Sequence, residues 1–118
     1  MSEEKSKIII QVVAEVLGEP IAEIMGRSRV RNIVWARQVC VTLCRRLMAK
    51  SDSQVARIFG LDHSTVEYTR RRVDDAASVY PELAQELRQC EAAARLALGQ
   101  RECEIAARLG AGHGVLAR

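Results

Sequence analysis

The side chains best suited to recognise another molecule lie close together between residues 62 and 68. They offer carboxylate, imidazole, hydroxyl and phenol groups on neighbouring positions: Asp62, His63, Ser64, Thr65, Glu67 and Tyr68. Short polar side chains on the first turns of a helix can hydrogen-bond to the edges of base pairs when that helix enters the major groove of duplex DNA. The cluster therefore predicts base recognition, although the same residue types are also common at ordinary helix starts.

Arginines surround this cluster in the sequence. Between Arg27 and Arg72 the chain has eleven basic residues, ten of them arginine, and only three acidic residues. The remainder has seven basic and twelve acidic residues, so the net charge of the whole chain is only +3. A basic middle between acidic flanks is typical of a phosphate-binding surface, and arginine is favoured for bidentate phosphate and guanine contacts. A solvated basic face is the alternative interpretation.

Two short helices joined by a glycine turn are predicted to position the polar cluster. Ser51 and Gln54 have the spacing of a capping box at the start of the first helix. Gly60 can supply a left-handed backbone at the turn, and Asp62 is expected to cap the second helix. The buried faces follow from helical spacing: Val55, Ile58 and Phe59 in the first helix, and Val66, Thr69 or Arg70, and Val73 in the second. This pattern predicts a helix-turn-helix.

The rest of the chain also has helical patterns. A first helix is expected over residues 7–17, a short turn over residues 20–26, and one long helix from Arg27 to Ala49. The apolar stripe of the long helix is predicted to comprise Val30, Ile33, Val34, Val41, Cys44 and Met48. Arg37 falls on this stripe, so its stem could pack on the core, but we favour a guanidinium that emerges to hold a phosphate.

The chain is expected to change character near the Tyr80–Pro81 dipeptide. A helix over residues 81–98 should end at Gly99, a short helix should follow over residues 102–109, and the tail should be frayed. We therefore predict an all-α protein with a helix-turn-helix domain at 1–79 and a C-terminal helical extension at 80–118. The apolar stripe of the extension, Leu83, Leu87, Cys90, Ala94 and Leu98, could form a homodimer through residues 81–98 or fold back on the first helix.

Several classes of protein are excluded by the composition. There is no run of about 20 apolar residues that would span a membrane, and residues 8–14 follow Glu3 and Glu4, without the net basic n-region or the cleavage site of a signal peptide. The four cysteines form no CxxC pair and have no histidine at ligand spacing, so buried thiols in a reducing compartment are expected rather than a metal site. Two histidines 50 residues apart and no paired carboxylates argue against catalysis. We expect a cytoplasmic, nucleoid-associated protein without enzyme activity or cofactor.

Two segments together resemble the C-terminal DNA-binding domain of the bacterial chromosomal replication initiator family DnaA. Residues 27–47 (RSRVRNIVWARQVCVTLCRRL) contain a basic segment followed by an ARQ helix at residues 36–38. Residues 54–73 (QVARIFGLDHSTVEYTRRRV) contain the FG turn and, at residues 62–66, the counterpart of the family's DHTTV motif. The resemblance covers roughly residues 5–75 and implies a Trp-repressor-like helical cluster.

The resemblance implies roles for individual residues. Arg29 matches an arginine that enters the minor groove, Arg37 and Gln38 match backbone contacts, and Arg45 matches a basic residue further along the same helix. Asp62, His63, Ser64 and Thr65 match the residues that contact bases in the major groove. With these matches, the residues expected to contact phosphates are Arg27, Arg31, Arg37, Gln38, Arg45, Lys50 and at least one of the arginines at 70–72, with Arg71 the leading candidate. The implied partner is double-stranded DNA with a short A·T-rich box.

The chain departs from the family pattern in three places. Only Leu61 separates the FG pair from Asp62, where the family usually has a glycine and an arginine, so the turn is one residue shorter. Ser64 replaces a threonine, which removes a methyl group that could pack on thymine. No GxxxxGK[ST] motif is present, so we expect neither nucleotide binding nor an ATP-dependent filament. A transcription regulator with the same domain, or a protein–protein adaptor that does not bind DNA, are the rival interpretations.

Overall fold

The computed structural model describes residues 2–110, and this part of the chain is made of six α-helices without any strand. The helices are α1 (Ser2–Leu17), α2 (Ile21–Ile24), α3 (Arg31–Leu47), α4 (Asp52–Phe59), α5 (His63–Val79) and α6 (Pro81–Gly110). The predicted all-α class is confirmed. The predicted frayed tail at 111–118 lies outside the described residues.

The turn between α4 and α5 forms as its local chemistry dictates. The Gln54 amide donates to the Ser51 hydroxyl over 3.2 Å, and the Ser51 amide donates to Gln54 Oε1 over 2.9 Å, which completes the predicted capping box. Gly60 has φ of 67°, a left-handed conformation that is costly for residues with a Cβ atom. The Leu61 amide then donates to the Ala56 carbonyl over 2.8 Å and closes the end of α4.

Asp62 is the N-cap residue of α5 by position, but its side chain makes no capping hydrogen bond. The prediction that this carboxylate caps the helix was therefore wrong in its detail. The Asp62 backbone carbonyl accepts the first bonds of the helix, from Thr65 at 3.0 Å and Val66 at 3.2 Å. The exposed carboxylate is left at the outer surface of the helix start.

A single aliphatic core holds the helices together. It takes fully buried side chains from α1 to α6, among them Ile9, Val13, Ile24, Val39, Leu43, Val55, Val66, Val73 and Ala94, all 0% exposed. Each large aliphatic side chain contributes about 1.5–3 kcal/mol when it leaves water. Burial of Val66, Thr69 and Val73 confirms the predicted inner face of α5.

The long central helix starts later than predicted, at Arg31 rather than Arg27. The Val30 amide donates to the Ser28 hydroxyl over 3.2 Å, a local side-chain bond that competes with helix formation. Val30 has extended backbone and is 60% exposed, so it does not belong to the core stripe as predicted. The basic segment before α3 is consequently a loop.

The C-terminal helix is longer than predicted, because α6 runs through Gly99 without a break. A glycine inside a helix costs about 1 kcal/mol relative to alanine. Packing of α6 along α1 offsets this cost, and Arg101 pairs there with Glu4, while Lys5 lies 4.0 Å from Glu102. Tertiary contacts therefore override the local stop signal.

The apolar stripe of α6 faces the interior of the same molecule. Leu87, Cys90 and Ala94 are buried within the core, and α6 packs on both α1 and α5. Of the two predicted alternatives, the fold-back onto the first helix is the one observed, so a homodimer through this stripe would require α6 to leave the fold. The core also continues across the predicted boundary between residues 79 and 80.

Trp35 provides a further tie between α3 and α6. Its indole nitrogen donates to Glu86 Oε1 over 2.9 Å, although the two residues are 51 positions apart. An aromatic residue at this position could not be explained from the sequence alone, since its partner lies on a helix whose placement was open.

Thiol accessibility tests this packing directly. Cys40, Cys44 and Cys90 are buried, whereas Cys103 is exposed. Burial raises the pKa of Cys44 and of Cys90 to about 12 and raises that of Cys40 further, so these thiols stay protonated near pH 8. We expect one fast-reacting thiol per native chain with a disulfide reagent at pH 8 and four after unfolding. Rapid reaction of three or four thiols in the native protein would contradict the placement of α6.

Acid should weaken the contact of α6 with α3. Burial raises the pKa of Glu91, but hydrogen bonds from Arg95 (2.7 Å) and Arg46 outweigh it, and the net shift is downward from 4.5. A lowered folded-state pKa stabilises the fold above the unfolded-state pKa, and this contribution is lost as pH falls through the folded value.

The Glu91→Gln variant should therefore be less stable than the wild type at pH 7, by about 1 kcal/mol. Urea unfolding at a series of pH values measures the difference. We expect it to shrink below pH 4.5. A difference that stayed constant down to pH 2.5 would show that the carboxylate charge is not involved.

Candidate nucleic-acid interface

The outer edge of α5 presents the polar cluster to solvent. Because Val66, Thr69 and Val73 face the core, helical spacing places Ser64, Tyr68 and Arg71 on the opposite side. His63, Ser64 and Tyr68 are exposed, and Tyr68 is 60% exposed despite its large ring, whereas Thr65 is half-buried on the flank. The first two turns of α5 therefore offer an uncovered edge of hydrogen-bonding groups.

The arginine triplet that follows is divided among three partners. Arg70 contacts Asp52 on α4 at 3.2 Å, Arg71 pairs with Glu67 at 2.7 Å within α5, and Arg72 lies 5.8 Å from the centre of the Tyr68 ring. The Arg71 pair is largely exposed, with 75% of the arginine side chain accessible, so it contributes little stability and can exchange for another anion. Arg71 consequently remains the member of the triplet best suited to phosphate.

The basic loop before α3 lies beside the helix-turn-helix. Arg27 and Arg29 are exposed in this loop, and Arg31, the first residue of α3, is also exposed. Residues 24–27 and residues 59–61 line the same cleft of about 470 Å³. The loop therefore adjoins the turn that leads into His63, as an arrangement that contacts two neighbouring grooves would require.

Arg37 has a structural role that we did not favour from the sequence. Its Nε donates to the Ile24 carbonyl over 2.6 Å, and its two Nη atoms donate over 3.1 Å to the Ser28 and Glu23 carbonyls. These bonds satisfy carbonyls at the end of α2 and fix the basic loop against α3. Arg37 therefore positions the loop that carries Arg29, and its predicted phosphate contact stays a prediction.

The remaining predicted phosphate contacts lie near the middle of α3 and at its C-terminal end. Arg45 donates from Nε to Asp52 Oδ1 over 2.6 Å and is 35% exposed. Lys50 is half-buried after the end of α3, and Gln38 is half-buried near its middle. Arg31 and Arg45 are separated by 14 helical residues, about 21 Å, so they cannot hold the same phosphate.

Asp52 also belongs to this surface, although the sequence analysis did not predict it. Its Oδ1 accepts from both Arg45 and Arg70 and thereby joins α3, α4 and α5. No periodicity connects these three residues, because they lie on three different helices. The only signal in the sequence is that Asp52 is one of three acidic residues in a basic window.

The part of the chain that the structure describes contains neither a metal-ion cluster nor a membrane-spanning helix. Within residues 2–110, no group of three or more His, Cys, Asp or Glu side chains could hold a metal ion. In the same range, no helix combines the length and the apolar character needed to cross a membrane.

The fold and the exposed edge of α5 define the helix-turn-helix class of DNA-binding domains. Residues 6–73 match the family model described as the bacterial dnaA protein helix-turn-helix, which is more than half of the chain. The chain therefore belongs to that family.

Named relatives are consistent with this membership. The chain is 42% identical over 67 residues to the chromosomal replication initiator protein DnaA of Tropheryma whipplei strain Twist, a match that covers 57% of this chain and 14% of the relative. It is 36% identical over 80 residues to the protein of the same name from Pelobacter propionicus, with 67% and 18% covered. The chain thus spans less than a fifth of the length of these relatives.

Proposed function

We propose that this protein binds duplex DNA sequence-specifically, at A·T-rich boxes of the kind recognised by replication initiators, and regulates the initiation of DNA replication at the bacterial nucleoid. The observation that carries the proposal is the exposed edge of α5 beside an arginine-bearing loop, within a chain of the dnaA helix-turn-helix family. Relatives named as chromosomal replication initiator proteins support the replication role.

The proposed mechanism is a clamp on two neighbouring grooves. The start of α5 enters the major groove, where the imidazole of His63 and the hydroxyls of Ser64 and Thr65 contact base edges. Arg29 reaches from the loop into the adjacent minor groove, where narrow A·T tracts concentrate negative potential. Arg37 acts through the loop, since its three carbonyl contacts hold Arg29 in place.

Phosphate contacts set the register and the salt dependence. The charged residues assigned to them are Arg27, Arg31, Arg45, Lys50 and Arg71. Neutralising about five phosphates gives a slope of log K against log salt of about −4 to −5. Because these contacts carry no sequence information, they should affect all duplexes alike.

Selection of bound duplexes from a random pool tests the proposal. We expect enrichment of a single A·T-rich motif about nine base pairs long, and protection of that motif in origin DNA in preference to promoter DNA. Enrichment of unrelated sequences would contradict sequence-specific binding. Protection confined to promoter DNA would instead support a transcription regulator, and no retention of any duplex would support an adaptor.

A further inference from the structure

A polar cleft between α3 and α5 lies apart from the base-contacting edge. It has a volume of about 340 Å³ and is lined by Thr42, Arg45, Arg46, Arg70 and Asp74. The three arginine side chains are each 35–38% exposed, so they are held in the cleft wall but remain accessible. Three arginines and one carboxylate form the lining, and Asp52 and Glu91 pair with these arginines from outside it, so the attraction for an anion depends on the N–H donors that these pairs leave free.

The internal ion pairs leave many of the guanidinium donors unused. Arg45 and Arg70 each direct one nitrogen to the same Asp52 oxygen, at 2.6 and 3.2 Å, which holds the two groups side by side. Arg46 reaches Glu91 at 2.5 Å and Asp74 at 3.5 Å. Each guanidinium has five N–H donors in a fork that matches phosphate oxygens. The carboxylates therefore position the arginines without saturating them.

Thr42 supplies an independent observation at the same place. It is 2% exposed, it lines the cleft, and within the described residues its hydroxyl has no hydrogen-bond partner. A helical threonine commonly bonds to the carbonyl four residues earlier, and a buried hydroxyl without a partner costs about 1–3 kcal/mol. The hydroxyl oxygen is enclosed, so a small shift of the Thr42 side chain toward the cleft would let an oxygen ligand there provide the missing acceptor.

The position of the cleft suits a ligand from the sugar-phosphate backbone of bound DNA. Arg70 follows His63 by seven residues, so it lies on the same side of α5, about 10 Å further along the helix. If the start of α5 enters a major groove, as the proposed function has it, we expect this part of the helix to pass the sugar-phosphate strand at the groove edge. The family resemblance assigns no contact to Thr42, Arg46 or Arg70.

We propose that the α3–α5 cleft binds a phosphate group, donated by the backbone of bound DNA or by a free phosphate anion. The first source rests on the proposed function, and the second does not. Arg45 and Arg70 contribute the bidentate contacts, Arg46 adds positive charge, and Thr42 adds its hydroxyl.

The test compares two cleft variants, Arg70→Gln and Thr42→Val, with Arg88→Gln as a control, since Arg88 is exposed on α6 and outside the cleft. One arm measures binding of the full chain to random duplex DNA across a salt series. The other measures thermal unfolding with sodium pyrophosphate against sodium chloride at matched ionic strength. Thr42→Val removes an unpartnered buried hydroxyl, so the free protein should keep its stability even if Arg70→Gln weakens the fold.

If DNA supplies the phosphate, Arg70→Gln lowers the magnitude of the salt slope by about 1 and Thr42→Val weakens duplex binding about two- to tenfold, while the control changes neither. If a free anion is the ligand, pyrophosphate raises the unfolding temperature of the wild type and the control but not of the cleft variants. No effect of either cleft variant in either arm overturns the proposal. Should the wild type bind no duplex at all, the proposed function fails, and the pyrophosphate arm still decides the cleft.

Discussion

The His63→Ala variant should lose about 1–3 kcal/mol of binding free energy on the preferred duplex, about five- to 150-fold in Kd, and almost nothing on random duplex. His63 is the first residue of α5, and its side chain is exposed. Removing its imidazole therefore takes away base contacts and leaves the core and the arginines in place.

Arg27→Ala is the matched control, because Arg27 is exposed in the basic loop and is assigned to phosphate. It should weaken binding to both duplexes by the same factor and reduce the magnitude of the salt slope by about 1. Fluorescence anisotropy with labelled duplexes measures both variants. If His63→Ala weakened binding to both duplexes equally, His63 would not contact bases.

The Ala94→Asp variant should lose more than about 3 kcal/mol of folding stability, the largest effect expected for a substitution on α6. Ala94 is 0% exposed and belongs to the core on the face of α6 that packs inward. A carboxylate there would be buried without a partner, which is among the costliest changes that a core can undergo.

Ala92→Asp makes the same chemical change two residues earlier, at an exposed position of the same helix. It should lower stability by no more than about 0.7 kcal/mol, the difference in helix propensity between alanine and aspartate. Urea unfolding followed by circular dichroism measures both. Similar stabilities for the two variants would mean that α6 does not pack on the domain as the structure has it.

The parts of the fold that the sequence predicted correctly depend on neighbours in the chain. Ser51 and Gln54 cap α4 from three residues apart, and Gly60 turns the chain where a left-handed backbone is needed. Such short-range chemistry gives the same result in almost any surroundings, so the helix-turn-helix could be predicted without its tertiary contacts.

The predictions failed where residues distant in the sequence determine the local structure. Gly99 is a reasonable stop signal by itself, but it becomes helical because α6 lies along α1, about 90 residues earlier in the sequence. The structural role of Arg37 could not be predicted either, because the carbonyls that it binds depend on the placement of α2 against α3, while its phosphate contact stays a prediction. Periodicity gives the face of a helix, but it does not give the neighbour that covers that face.

The candidate site shows the same division. His63, Ser64 and Tyr68 were predicted to lie on an open helix edge, and their exposure is as expected. Their contacts with DNA remain predictions, as do those of Arg29 and Lys50. The network around Asp52 could not be predicted, because it joins residues from three helices that no motif connects.

The central claim is that one edge of α5 and the adjacent basic loop recognise duplex DNA by sequence. It is tested most directly by titrating the full chain with two labelled duplexes, one with the A·T-rich box obtained by selection and one with the same bases scrambled, over a series of salt concentrations. We expect binding to the box to be at least about 100-fold tighter than binding to the scrambled duplex. Specific DNA-binding proteins typically reach about 1,000-fold or more, so this is a modest requirement. The slopes of log K against log salt should be similar, about −4 to −5. Equal affinities for the two duplexes at every salt concentration would contradict the account.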